Sequence, residues 1–213
     1  MFVGHYAAAL AAKGLEPRAP LWTYVAGAQL IDIGWSVLVQ AGVERMQIDP
    51  TLPGSALVLE HMPYTHSLPA SLIWAVAAAV LARLVLRLNW SAAAMIGAVV
   101  FSHWLGDLLV HRPDLELWFG GQKVGLGLWN YPLPEQALEM GLLAMGGAVW
   151  AWQRGKSGQG AWSAPMFLGF LLILQIVAMV LPQNGGAVGV AGSALAVYLV
   201  TTLVAVLADR KRA

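Results

Sequence analysis

The run Phe101-Ser102-His103-Trp104-Leu105-Gly106-Asp107-Leu108-Leu109-Val110-His111-Arg112 sets two imidazoles and a carboxylate at i, i+4 and i+8 in an otherwise apolar stretch. On a helix that spacing stacks His103, Asp107 and His111 on one face. A neutral imidazole nitrogen and a carboxylate oxygen one turn apart can ligate one metal ion. The plainer alternative is an i,i+4 His–Asp hydrogen bond with no metal. Gly106 sits beside the stripe and leaves room for a neighbouring element.

Other ionisable residues lie in similarly apolar surroundings. Gln29, Asp32, Ser36 and Gln40 fall at i, i+3, i+7 and i+11, one polar face of a helix on which Asp32 is the only charge. A lone Asp fixing helix packing through a hydrogen bond is the simpler reading of that face. The stretch Glu60-His61-Met62-Pro63-Tyr64-Thr65-His66-Ser67-Leu68 puts His66 at a helix start with Ser67 as its N-cap, whereas His61 reads as a surface histidine. His5 lies in the apolar stretch Met1 to Ala12. Glu135 and Glu139 form an i,i+4 pair. Glu139 is a candidate ligand, a carboxylate orienting a histidine, or a general base, and Glu135 reads as a helix-terminus acid.

These groups need elements to position them, and composition says which. Of 213 residues, 59% are hydrophobic and 11% charged, against about 25% charged in a typical soluble domain. A water-facing shell cannot be built from such a chain, so an integral membrane protein is expected. With no cysteine, disulfides, iron–sulfur clusters and thiolate zinc are excluded. Stretches long enough to cross a bilayer fall near 20–43, 67–88, 91–111, 133–153, 164–182 and 187–208. The expected fold is an all-α polytopic bundle of about six transmembrane helices, preceded by a half-membrane helix at 1–12. It forms one membrane domain: site-bearing helices over 1–156, then a charge-free hairpin and basic tail over 157–213. Pro182-Gln183-Asn184-Gly185-Gly186 breaks that hairpin, and Gly185, Gly189 and Ser193 give its second arm a small-residue stripe for a helix–helix partner. Oligomeric state is not legible.

Orientation follows from Lys and Arg. Lys13, Arg18, Arg83, Arg87, Arg154, Lys156, Arg210, Lys211 and Arg212 fall on one side of the six-span arrangement, and Arg45, Arg112 and Lys123 on the other. The first group is expected in the cytoplasm, at a bacterial inner membrane, with the Lys13–Arg18 turn and the C-terminus. Apart from Glu16 and Asp209, the acids lie on the outer side or within spans, as do all five histidines. At about 1.5 Å rise per residue, His5, Asp32 and His103 stand about 17–20 Å above the cytoplasmic ends of their helices, and Asp107 and His66 about 25–30 Å. Five potential ligands from four helices thus share one layer of the outer half.

Four short motifs, Val3-Gly4-His5, an Asp in a polar first span, Tyr64-Thr65-His66-Ser67-Leu68 and Ser102-His103-Trp104-Leu105-Gly106-Asp107, resemble a bacterial family of inner-membrane-associated metal-dependent hydrolases, also described as LexA-binding. The resemblance covers residues 1–115. It implies a metal-site role for His5, Asp32, His66, His103 and Asp107. The departure is Ile31-Asp32-Ile33-Gly34-Trp35, where the family places a second acid close after the first. Its loss counts against a two-ion site.

Three of these histidines and two aspartates suit zinc, with manganese or iron as harder alternatives and His111 as a further ligand. A bound metal lowers the pKa of water towards about 7, with Asp32, Glu139 or Asp114 to take the proton. A site opening to the outer leaflet suits a lipid or amphiphile ester, phosphoester or amide. Phosphoester is slightly favoured, with Arg112 as a phosphate clamp or, equally, an interfacial anchor. The glycine-rich Gly120–Gly127 stretch lacks a nucleotide-loop order and reads as an interfacial lid, and nothing suggests nucleic-acid binding. Two readings compete with hydrolysis: a metal or proton transporter, and a non-catalytic scaffold subunit.

Overall fold

A computed structural model describes residues 1–159, 162–181 and 186–209. Among these are eight α-helices: α1 (His5–Leu15), α2 (Leu21–Ala28), α3 (Leu30–Gln40), α4 (Leu68–Leu84), α5 (Trp90–Val110), α6 (Pro132–Lys156), α7 (Ser163–Val180) and α8 (Gly186–Ala208). The protein is thus mostly helical, as composition required. α5, α7 and α8 are long and apolar enough to cross a membrane, whereas α3 and α4 are shorter apolar helices. α6 is long but carries Glu135, Glu139, Arg154 and Lys156. The hairpin break at Pro182–Gly185 and the basic residues Arg210, Lys211 and Arg212 lie outside the described residues.

The expected first span is not one helix. α2 ends at Ala28 and α3 begins at Leu30, with Gln29 between them at φ −112° and ψ 11°. Gln29 does not extend the Asp32 face outward: its Nε2 donates to the Phe2 carbonyl. The last carbonyls of a helix have no partner within it, so the break frees the Ala28 carbonyl for another use.

Strands were not expected, yet both long connections contain them. β1 (Arg45–Ile48) pairs antiparallel with β2 (Leu57–His61), and β3 (Leu115–Glu116) with β4 (Lys123–Val124). Buried carboxylates tie these hairpins together. Glu116 accepts from the Met62 and Gly120 N–H groups, and Asp114 from the Leu59 N–H. Arg112 fastens the same layer, donating to the Pro53 and Ser55 carbonyls and to Asn130 Oδ1.

Two glycines decide how α1 seats. A Cβ at Gly146 on α6 would stand 2.3 Å from the Ala7 carbonyl oxygen, and one at Gly106 on α5 would stand 3.2 Å from the His5 ring. α1 therefore lies in a groove that only glycine opens, with His5 in the space that Gly106 leaves. Glu139, on α6, accepts from the Phe2 N–H at 2.9 Å and the Gly4 N–H at 2.8 Å, fixing the residues just before α1.

At the other end of α1 a polar latch closes the bundle. The buried Lys13 ammonium donates to the Pro17 and Ala19 carbonyls and to Asp209 Oδ2, which also accepts from the Leu21 N–H. Beside it the Arg18 guanidinium, hydrogen-bonded to Glu16, holds that carboxyl below the ordinary range, and the Ser91 hydroxyl adds a bond from the start of α5. The pair is part-buried, with the Asp209 side chain 18% exposed, and losing a hydrogen bond between charged groups there costs about 2 kcal/mol. Asp209→Ala is expected to lower the melting temperature in detergent by several degrees, read by circular dichroism. Lys13→Met with Asp209→Leu is expected to recover most of the loss.

Candidate metal centre

Asp107 and Asp32 face one another across a cluster of imidazoles. His103 Nε2 lies 3.1 Å from Asp107 Oδ2 and 3.4 Å from Asp32 Oδ1. His66 Nε2 lies 3.3 Å from Asp32 Oδ1 and 3.7 Å from Asp107 Oδ2. On the other side of Asp107, His5 Nε2 is 3.1 Å and His111 Nε2 3.7 Å from Oδ1, and the Met1 α-amino group is 3.0 Å from the same oxygen. The His5 ring stacks on His103 with centroids 3.7 Å apart. All six side chains are buried, Asp32 being the most accessible at 9%.

The outward nitrogens of three histidines explain why their inward nitrogens are free. His103 Nδ1–H donates to the Ala28 carbonyl at 2.8 Å, the group released by the helix break. Thr65 Oγ1 donates its one proton to Glu44 Oε2 at 2.6 Å, so it accepts from His66 Nδ1–H at 2.8 Å. His111 Nδ1–H donates to Asp114 Oδ1 at 3.0 Å. Each partner fixes the tautomer with a lone pair on Nε2, the arrangement that orients metal-ligating histidines.

The donor set fits a divalent cation. Ligands held about 2.0–2.1 Å from one zinc ion lie no more than about 4.2 Å apart, and the four His66/His103–Asp separations are all shorter than that. Donor atoms of Asp32, His66 and His103 all lie within 4.8 Å of one another, as do those of His5, His103 and Asp107. His103 Nε2 is buried without a hydrogen bond, although two carboxylate oxygens lie close by.

The remaining sequence candidates sit elsewhere. Asp114 is one layer out, behind His111. Glu139 spends both oxygens on the backbone before His5. Arg112 is engaged by loop carbonyls and lies 5.9 Å over the Trp129 ring, whose centroid is 3.9 Å from that of His111. Glu135 accepts from Gln136. His61 is 3.8 Å from Glu116 Oε1 at the surface of the hairpin layer. Sequence reasoning missed Glu44 and Tyr198, whose hydroxyl donates to Asp32 Oδ2 at 2.9 Å. Thr65 was visible only as part of a motif.

Fold and site together define an integral membrane helical protein with a buried His/Asp cluster among its helices. Residues 1–208 match the family model of the YdjM inner membrane protein, and the chain belongs to that family. The match places it in a bacterial inner-membrane family and assigns no reaction. No curated protein and no solved structure matches the chain.

If the Glu44–Thr65 pair holds His66 for a metal, Thr65→Val should lower the melting temperature, since it unpairs a buried carboxylate oxygen and an imidazole N–H, and weaken zinc binding of the folded protein by about 10- to 100-fold. Competition against a chromophoric chelator measures this, and unchanged affinity would show that the hydroxyl serves only its bond to Glu44.

Proposed function

We propose that this protein is a membrane-embedded, metal-dependent hydrolase of a lipid or amphiphile ester or phosphoester. The observation that carries the reading is His103 Nε2: buried, without a hydrogen bond, and between two carboxylates. A positive charge belongs between these anions, and the carbonyl, threonine and aspartate behind His103, His66 and His111 leave the Nε2 lone pairs to receive it as a metal ion. Two buried carboxylates are costly unless compensated, and the Met1 amino group reaches only Asp107 Oδ1.

Asp32, His66, His103 and Asp107 would hold the ion, with a fifth position left for water. Zinc suits these nitrogen and oxygen donors best, and manganese or iron would also be accepted. His103 belongs to both donor groups, and a neutral imidazole offers one lone pair, which favours one ion per chain. A divalent cation there supplies Lewis acidity and lowers the pKa of water towards about 7. His111 is the residue placed to accept a proton at Nε2, because Asp114 holds its Nδ1–H and fixes the tautomer, as the carboxylate of a hydrolytic triad does. His5 stacks on His103 and keeps water from that face.

The substrate class follows from the surroundings. α4, α7 and α8 present exposed Ile73, Val76, Ile173, Ile176, Leu199 and Leu203, side chains suited to lipid. An apolar groove of about 420 Å³ lined by Tyr64, Ala70, Ile73, Trp74 and Phe119 offers a seat for a hydrocarbon chain beside the Thr65–His66 turn. With Arg112 held by carbonyls, the preference for a phosphoester rests on the cation alone. The charge asymmetry supports six crossings with the Lys13–Arg18 turn and the C-terminus cytoplasmic, the cluster facing the outer half. Below Gln29, Val25, Ala28, Ile96, Val99 and Val100 are buried as an apolar layer between the cluster and the buried Thr23, Tyr24, Glu16 and Lys13, which favours a dead-end site over a conduit.

Elemental analysis of chelator-free preparations tests the centre. The wild type is expected to carry about one divalent ion per chain, with His103→Ala and Asp107→Ala carrying almost none. Vesicle lipids and synthetic phosphoesters then test turnover, which should be abolished in both variants. A metal-free wild type sinks the proposal, and a loaded wild type inert on every ester leaves the scaffold reading in its place.

A further inference from the structure

Tyr198 stands midway along α8, in the half of the chain whose composition suggested only anchoring and assembly. Its ring is buried and lies 6.4 Å from Phe2, centroid to centroid. Its hydroxyl donates to Asp32 Oδ2 at 2.9 Å, while Oδ1 of the same carboxylate faces His66 and His103. The two oxygens of Asp32 are thereby given different work.

A carboxylate can grip a cation through one oxygen or both, and the choice changes the coordination number. A phenolic O–H on Oδ2 occupies that oxygen and leaves Oδ1 facing the imidazoles. It also halts rotation about the Asp32 side-chain bonds, so the oxygen stays in place before an ion arrives. We propose that Tyr198 is a positioning residue of the metal centre, holding Asp32 as a ligand through Oδ1 alone. The proposal rests on the metal reading above. It makes α8 part of the centre although α8 supplies no ligand.

The test is Tyr198→Phe, which keeps the ring and removes the hydroxyl, in full-length protein in detergent. Zinc affinity is measured by chelator competition, and the visible spectrum is recorded after loading with Co²⁺. The expected result is one ion still bound, an affinity about 10- to 100-fold weaker, and a weaker Co²⁺ absorption as Asp32 turns to grip through both oxygens. Tyr198→Gln, which retains an N–H donor, should recover part of the affinity. A phenol that only packs would leave affinity and spectrum unchanged, and that result overturns the proposal. The wild-type spectrum is a second test, independent of whether the variant folds: weak, six-coordinate absorption overturns the proposal with no variant needed. A wild type that binds no ion fails the metal reading itself, a different outcome from a wild type that binds tightly while Tyr198→Phe binds equally well.

Discussion

Two carboxylates buried side by side among apolar helices are the constraint around which this protein is organised. Each ionised carboxylate taken out of water costs several kcal/mol unless charge and hydrogen bonds are returned to it. The Met1 amino group and His5 Nε2 reach Asp107 and the Tyr198 phenol donates to Asp32, whereas His66, His103 and His111 turn Nε2 lone pairs toward the two carboxylates and answer their charge only through the proposed cation. Three of those imidazoles are themselves held from behind by a backbone carbonyl, a threonine and an aspartate. Polar groups in low dielectric are stable only as satisfied networks, so the second layer is as much a condition of the fold as the first.

Satisfying that network required departures from regular structure. A continuous helix through Gln29 would keep the Ala28 carbonyl within its own ladder, and His103 would lose its fixed tautomer. The interruption gives up helical hydrogen bonds to gain one outward-facing acceptor. Gly146 and Gly106 make the same kind of exchange: side chains are given up so that α1 can approach α6 and α5 closely enough to bring His5 to Asp107. Glu139 then fixes the approach through two backbone N–H groups.

Much of the cluster was legible in the sequence because helical periodicity is arithmetic. His103, Asp107 and His111 share a face at any four-residue spacing, and the rise per residue placed His5, Asp32 and His66 at comparable depth. The structure brings all six together. Periodicity misled at Gln29, since a polar residue at i−3 from Asp32 reads as the same face whether or not the helix is continuous. Arg112 and Glu139 hold mainly backbone groups, invisible in a list of side chains, with Asn130 Oδ1 a further partner of Arg112. Tyr198 was passed over because its helix carries no charge and its partner lies 166 residues away. The short hairpins were missed because their strands are two to five residues long.

The latch between Lys13 and Asp209 bears on the order in which the molecule is made. A chain leaves the ribosome from its N-terminus, and helices enter the membrane in turn. Lys13 must wait 196 residues before Asp209 arrives, and Asp32 waits 166 for Tyr198. Until then a buried ammonium and a buried carboxylate lack their partners, so the early helices cannot settle into their final packing. α8 thus acts as a late check on packing: a chain without it leaves Lys13 and Asp32 lacking these partners and stays open to quality-control proteolysis.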